Sequence, residues 1–180
     1  TRICYTDPRR FGRIRLVRQP LENPPVSELG FDPIINMPTL ADFTRRVQPP
    51  TQRHRGGTCI KALLLDQRFA AGVGNWIADE ILYQSGVHPA RPTRSLTTAE
   101  LTRLHQWTAR VCQVAVDCNA DKDRFPADWL FHVRWGKARK TVQHVTRKGE
   151  PVVFETVGGR TSAIVPTVQM LPPLALPPSS

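Results

Sequence analysis

Gly72-Val73-Gly74-Asn75 breaks the chain immediately before Trp76-Ile77-Ala78-Asp79-Glu80-Ile81-Leu82-Tyr83, and Gly86 follows three residues later. Two glycines so close together favour a turn over a continuing helix. In the run that follows, Ile77 and Ile81, and Ala78 and Leu82, are i,i+4 pairs on one face of a new helix. Asn75 is a favoured N-cap and Gly86 a favoured stop. The chain is therefore expected to build a helical module around a tight glycine turn. The free N–H groups and positive dipole end of that helix suit a phosphate, and the Asn75 amide could join them. A Gly-x-Gly-Asn turn is equally an ordinary way to start a helix, and on the residues alone both readings stay open.

The flanking sequence supplies more helices and a few strands. Thr97 and Glu100 have capping-box spacing, Leu96 and Leu101 sit where a hydrophobic staple would, and Leu101, Leu104, Thr108, Val111, Cys112 and Ala115 form an apolar stripe. This predicts a helix running to about Cys118. Shorter helices are expected over Leu40–Val47, closed by Pro49-Pro50, from a Thr58 N-cap through Ile60 and Leu63–Leu65, and over Pro126–Phe131. Residues 3–5 and 13–17 are strand-prone around an Asp7–Gly12 turn, and two strands without partners imply a missing sheet. Five prolines between 18 and 38 mark a linker. The runs 151–157 and 161–165 around Gly158-Gly159-Arg160 predict a hairpin, and the Pro-rich end from Leu171 is read as disordered.

At 180 residues the chain can fill one modest core, or a domain with an appendage. Its 25 Lys+Arg against 15 Asp+Glu, a net charge of +10, suit a polyanionic partner, nucleic acid before an acidic membrane surface. No stretch approaches the roughly 18 apolar residues of a membrane span and no signal segment opens the chain, so a soluble, intracellular protein is expected. Cys4, Cys59, Cys112 and Cys118 are scattered, and the five histidines show no ligand spacing. Reduced structural thiols, no metal and no cofactor are expected. The chain opens on Thr1 in strand-like sequence, as a piece of something longer would.

The stretch Ile60-Lys61-Ala62-Leu63-Leu64-Leu65-Asp66-Gln67, through Gly72–Leu82, to His88-Pro89 resembles the helix-two-turn-helix signature of the formamidopyrimidine-DNA glycosylase/endonuclease VIII family. Two further matches extend the resemblance over roughly residues 3–170. Asp7-Pro8-Arg9-Arg10-Phe11-Gly12 resembles the family's void-filling loop, where Arg9 would meet the orphaned base and Phe11 would wedge into the stack; the alternative is a turn whose Phe11 packs into a core. Gly158-Gly159-Arg160-Thr161 resembles the finger tip, where Arg160 would pair with a backbone phosphate.

The resemblance departs from the commonest pattern in two ways. Many members pin the finger with four cysteines and zinc, but no cysteine follows Cys118. Residues 148–166 instead resemble the zincless finger of plant and fungal members, held by apolar residues such as Val153, Phe154, Ile164 and Val165. The family's nucleophile, an N-terminal proline amine with its adjacent glutamate, and its hairpin lysine are not in this chain, so no catalytic residue is assigned here. Asp79 and Glu80 diverge by about 100° as helix neighbours and do not form a catalytic carboxylate pair. The resemblance suggests that Glu80 supports the turn, and Lys61 is read as a DNA contact.

The expected fold is α+β: a mainly helical helix-two-turn-helix module with an N-terminal strand remnant and a C-terminal zincless β-hairpin finger. Its expected parts are a remnant of a β-sandwich catalytic domain (1–18), a linker (19–38), the helical module (39–136), the finger (137–170) and a tail (171–180). The DNA-binding residues would be Asn75, Gly74, Arg160, Lys61, Arg9 and Phe11. By resemblance, the function is damaged-DNA binding within a bifunctional glycosylase/AP lyase for oxidised purines. It would act as a monomer on duplex DNA holding a damaged base or abasic site, in the nucleus or another DNA-containing compartment. A non-catalytic DNA-binding module from a truncated paralogue is the alternative, and an RNA-binding helical module a third reading.

Overall fold

The computed structural model describes residues 2–8, 10–50, 58–135 and 144–171. Helix α1 (Leu40–Val47) starts where the Thr39 hydroxyl accepts the Asp42 amide at 3.2 Å, and it turns Phe43 and Val47 inward. It stops at Gln48, next to Pro49, whose ring disfavours helical backbone in the preceding residue. Helix α2 (Ile60–Leu65) does not use the expected Thr58 cap. Cys59 holds the cap position without a side-chain bond, because distant backbone does the capping. Ile60 and Lys61 donate to the carbonyls of Arg91 and Pro89 at 2.9 and 3.2 Å, while the Thr58 carbonyl accepts from Thr93.

Helix α3 (Asn75–Ser85) is capped at Gly74, so Asn75 is its first residue rather than its cap. It ends at Gly86 in the left-handed conformation (φ 67°, ψ 31°), where Val87 donates back to Leu82 at 2.9 Å. Helix α4 (Thr98–Asp117) carries both bonds of the Thr97/Glu100 capping box, and the six stripe residues from Leu101 to Ala115 are all buried. Replacing Thr97 with alanine should cost about 1 kcal/mol. That corresponds to a fall in Tm of roughly 2–4 °C. An unchanged melting curve would mean that the box contributes nothing.

A continuous helix over Pro126–Phe131 does not form. A single 3₁₀ turn spans Leu130–His132, because the Leu130 and Phe131 amides are drawn to the Glu80 carboxylate. The hairpin pairs β1 (Val153–Val157) with β2 (Arg160–Ile164) antiparallel, with Val157 opposite Arg160. Gly158 and Gly159 both take positive φ (59° and 73°), the backbone of the two-residue turn whose twist matches the strands. Residues 2–8 and 10–18 form no strand. Ile3, Ile14 and Leu16 are 95%, 80% and 104% exposed, since two short runs without a partner sheet have nothing to bury against. Their turn does form: the Asp7 carboxylate accepts the amides of Arg10 (3.1 Å) and Gly12 (2.5 Å).

The main core joins α1–α4 and the Phe31 and Phe69 loops around Phe43, Leu64, Ile81, Leu104 and Val111. A second, smaller core of Tyr83, Leu130, Val152, Ala163 and Val165 lies between α3 and the hairpin. Of the apolar residues expected to hold the hairpin, Ile164 and Val165 are buried and Phe154 packs against this second core, whereas Val153 is 38% exposed. The two cores fuse the hairpin to the helices as one body. Among the described residues no helix is long and apolar enough to cross a membrane. The tail from residue 172 lies outside the described residues.

Candidate nucleic-acid interface

The Gly72–Asn75 turn is braced by one side chain. Gln67 accepts the Gly72 amide at 2.9 Å and donates to the Val73 carbonyl at 3.0 Å. Gly72 needs to be glycine because its φ is +81°. Gly74 does not: its φ is −98°, and a Cβ there would meet nothing within 4 Å. Neither backbone conformation nor internal packing requires glycine at 74, and its bare backbone leaves the N-terminus of α3 open to a ligand.

The hairpin is brought to this same place. The Asn75 amide donates to the Thr161 carbonyl at 3.1 Å, a bond spanning 86 residues, which puts Asn75 beside the exposed Arg160. The turn itself rests on α2, where a Cβ on Gly158 would come within 3.1 Å of Ala62 Cβ. Asn75, at the open end of α3, is thus bonded to the residue that follows Arg160 in β2. The Asp7–Gly12 turn at the start of the chain is separate: Phe11 is 80% exposed and joins neither core, and Arg9 lies outside the described residues.

Lys61 differs from expectation. Its side chain is fully buried rather than facing solvent, ion-paired with Asp79, and its ammonium also donates to Thr161 at 3.2 Å. Its position in α2 points inward to α3, where Asp79 meets its charge. Burial lowers its pKa, with the Asp79 charge opposing the shift. Asp79 and Glu80 do diverge as helix neighbours. Asp79 faces Lys61, Arg134 and the hairpin. Glu80, also fully buried, faces the 130–131 turn, accepting from Leu130 (3.3 Å), Phe131 (2.9 Å) and the Gln84 amide (2.8 Å). Burial pushes the Glu80 carboxyl up to about 7 despite those three donors.

Gln67, Arg134 and the Thr161 carbonyl were not singled out from the sequence, and Asp79 was weighed only as half of a carboxylate pair. Only the pairing of Asp66-Gln67 with the glycine turn hinted at the first. Nothing local signals the other three, because their partners are 18 to 100 residues away. A ring cluster of Trp76, Phe125, Trp129 and Phe131, with centroids 4.9 to 6.4 Å apart, also packs the start of α3 against the segment after α4.

Comparison with known proteins places this geometry. Residues 29–126 match the formamidopyrimidine-DNA glycosylase H2TH domain. A formamidopyrimidine-DNA glycosylase of Arabidopsis thaliana is 38% identical over 169 residues, covering 94% of this chain and 41% of that protein. One from Thermus thermophilus is 35% identical over 176 residues, covering 93% and 64%. The solved structure of the MutM (Fpg) protein of Thermus thermophilus superposes with a TM-score of 0.70 at 34% identity, over 93% of this chain and 64% of that one. A complex of Lactococcus lactis Fpg with DNA containing an abasic site shares the fold, with a TM-score of 0.62 at 22% identity over 80% of this chain and 52% of that one. The chain therefore spans between about two-fifths and two-thirds of the length of these relatives. The turn, the helix pair around it and the hairpin docked on them are shared features, and the chain belongs to the formamidopyrimidine-DNA glycosylase H2TH domain family.

Proposed function

We propose that this chain is the duplex-gripping part of a base-excision-repair DNA glycosylase with AP-lyase activity that removes oxidised purines such as formamidopyrimidine or 8-oxoguanine. One observation carries the reading: the Thr161 carbonyl joins Asn75 to the strand of Arg160 at the open N-terminus of α3. A helix N-terminus, a side-chain amide and the exposed arginine next to its bonding partner would together suit the backbone phosphates beside an extruded nucleotide. The net charge of +10 supports a polyanionic partner. Arg9 and Phe11 are assigned to the duplex interior, Glu80 to support of the turn, and Lys61 to the grip through the hairpin. The nucleophile, a proline amine by family, belongs to the part of the enzyme outside this sequence. The enzyme would work as a monomer in the nucleus or another DNA-containing compartment.

The 180-residue chain is expected to bind duplex DNA in a salt-sensitive way. With about five phosphate contacts the log–log salt slope should lie near −4 to −5. Fluorescence anisotropy across a salt series measures it, and a slope near zero would remove the phosphate site. Borohydride should trap no covalent complex between the chain and abasic DNA. Trapping that persists in a mock-purified control-subtracted sample would place a nucleophile within these residues.

A further inference from the structure

The hairpin that carries Arg160 is a two-stranded sheet, too small to hold its own position. No cysteine lies in it. Its polar anchorage to the helices converges on Asp79, which is 1% exposed in the middle of α3. That carboxylate takes the Lys61 ammonium on one oxygen. On the other it takes the Arg134 guanidinium, at 2.6 and 3.2 Å, and the Ala163 amide of β2 at 3.4 Å. Lys61 in turn reaches the carbonyl of Thr161, the same atom that Asn75 holds. Arg134 is backed by the Trp135 ring, 4.4 Å from its centroid.

A buried ion cluster of this kind is weak as a source of stability, because desolvation offsets most of the attraction. Its distinctive effect is directional. Apolar packing between α3 and the hairpin tolerates sliding, whereas N–H···O bonds to one carboxylate and one carbonyl set the strand's height to a fraction of an ångström. Two cations share one carboxylate, and one of them, Lys61, shares the Thr161 carbonyl with Asn75.

We propose that Asp79 is a positioning residue for DNA binding: the buried Lys61–Asp79–Arg134 cluster locks β2 onto α2 and α3, and so holds Arg160 beside Asn75. The proposal rests on the reading of Arg160 as a phosphate ligand. Its test is a double-mutant cycle in the full-length protein, with affinity measured on a duplex containing a tetrahydrofuran abasic analogue. Asp79→Asn should weaken binding about tenfold, the size expected for one charge-assisted bond. It should also reduce the magnitude of the log–log salt slope by about 0.9, as Arg160→Ala does, because one phosphate contact is lost in each. The double variant should bind no more weakly than Arg160→Ala alone. A merely destabilised protein would lose active fraction and keep its slope.

Losses that multiply in the double variant, or an Asp79→Asn protein with unchanged affinity and slope, would overturn the proposal. If Asp79→Asn does not fold, Lys61→Met leaves one carboxylate paired with one guanidinium and carries the same cycle with the same two outcomes. Hydrogen exchange separates this proposal from the functional reading beneath it. Loss of the cluster should speed exchange in Thr161–Ile164 at least tenfold more than in Val111–Ala115 of α4, whereas uniform acceleration would overturn the lock whatever Arg160 does. An Arg160→Ala protein that binds as tightly as the parent, with β2 still selectively loosened by Asp79→Asn, would remove the phosphate assignment and leave the lock standing.

Discussion

Replacing Glu80 with alanine is expected to cost about 4 kcal/mol of folding stability, enough to lower Tm by roughly 10 °C in a domain of this size. The amides of Leu130 and Phe131 would lose their acceptor in a buried place, and each orphaned N–H costs about 1–3 kcal/mol. A cavity at the joint of α3 and the 3₁₀ turn adds to that. The pH dependence is the sharper signature. The Glu80 carboxyl is raised from 4.5 to about 7 because burial disfavours its charge. The folded state then binds more protons than the unfolded state between these values, so stability is full below about pH 4.5 and is lost as pH rises through 7. The loss should approach about 3 kcal/mol. His88, whose pKa burial lowers, works in the opposite sense in the same range. The comparison must therefore be made against Glu80→Gln, a neutral mimic of the protonated carboxyl, in which the fall between pH 5 and 8 should flatten. Parallel pH curves for the two proteins, measured by urea titration, would show that Glu80 is ionised in the fold across the whole range.

In the full-length enzyme, Phe11→Ala should slow excision of a well-paired, stacked lesion by up to about a hundredfold, and excision of a mismatched one far less. Phe11 stands 80% exposed on a turn tied by Asp7 and joins neither core, so its removal leaves the helical module intact. Its assigned work is to fill the gap of the flipped base, offsetting an unstacking cost of a few kcal/mol that a mismatched base has largely lost already. Asn75→Ala and Arg160→Ala should behave differently. On the proposed assignment each would remove a phosphate contact and weaken binding to damaged and undamaged duplex alike, by about 1–3 kcal/mol. Asn75→Ala also removes one of the bonds to the Thr161 carbonyl, which keeps its Lys61 donor. Single-turnover rates on paired and mismatched substrates separate the two classes. If all three substitutions lower excision by one common factor on every substrate, the wedge assignment of Phe11 falls, and that of Arg9 to the orphaned base falls with it.

Wherever a hydrogen bond closes within a few residues, the amino-acid sequence determined the outcome. The Thr97/Glu100 box starts α4, Gly86 ends α3, and Gly158-Gly159 turn the hairpin, because each of these bonds spans five residues or fewer and the residue types needed are few. The glycine turn before α3 and the resemblance it carries were legible for the same reason. What spacing could not disclose is where a polar group goes when its partner is far along the chain. Thr58 is a good cap by type, but α2 is capped by carbonyls 28 to 31 residues away, from Pro89 and Arg91. A lysine near a helix start has the same sequence signature whether it faces water or a buried carboxylate, and only the packing of α2 on α3 turned Lys61 inward to Asp79. Asn75 is a good cap by type, yet Gly74 holds the cap position and the Asn75 amide reaches Thr161, because the docked hairpin brings that carbonyl within reach. The tertiary structure alone decided these three, since satisfying buried polar groups depends on which surfaces meet.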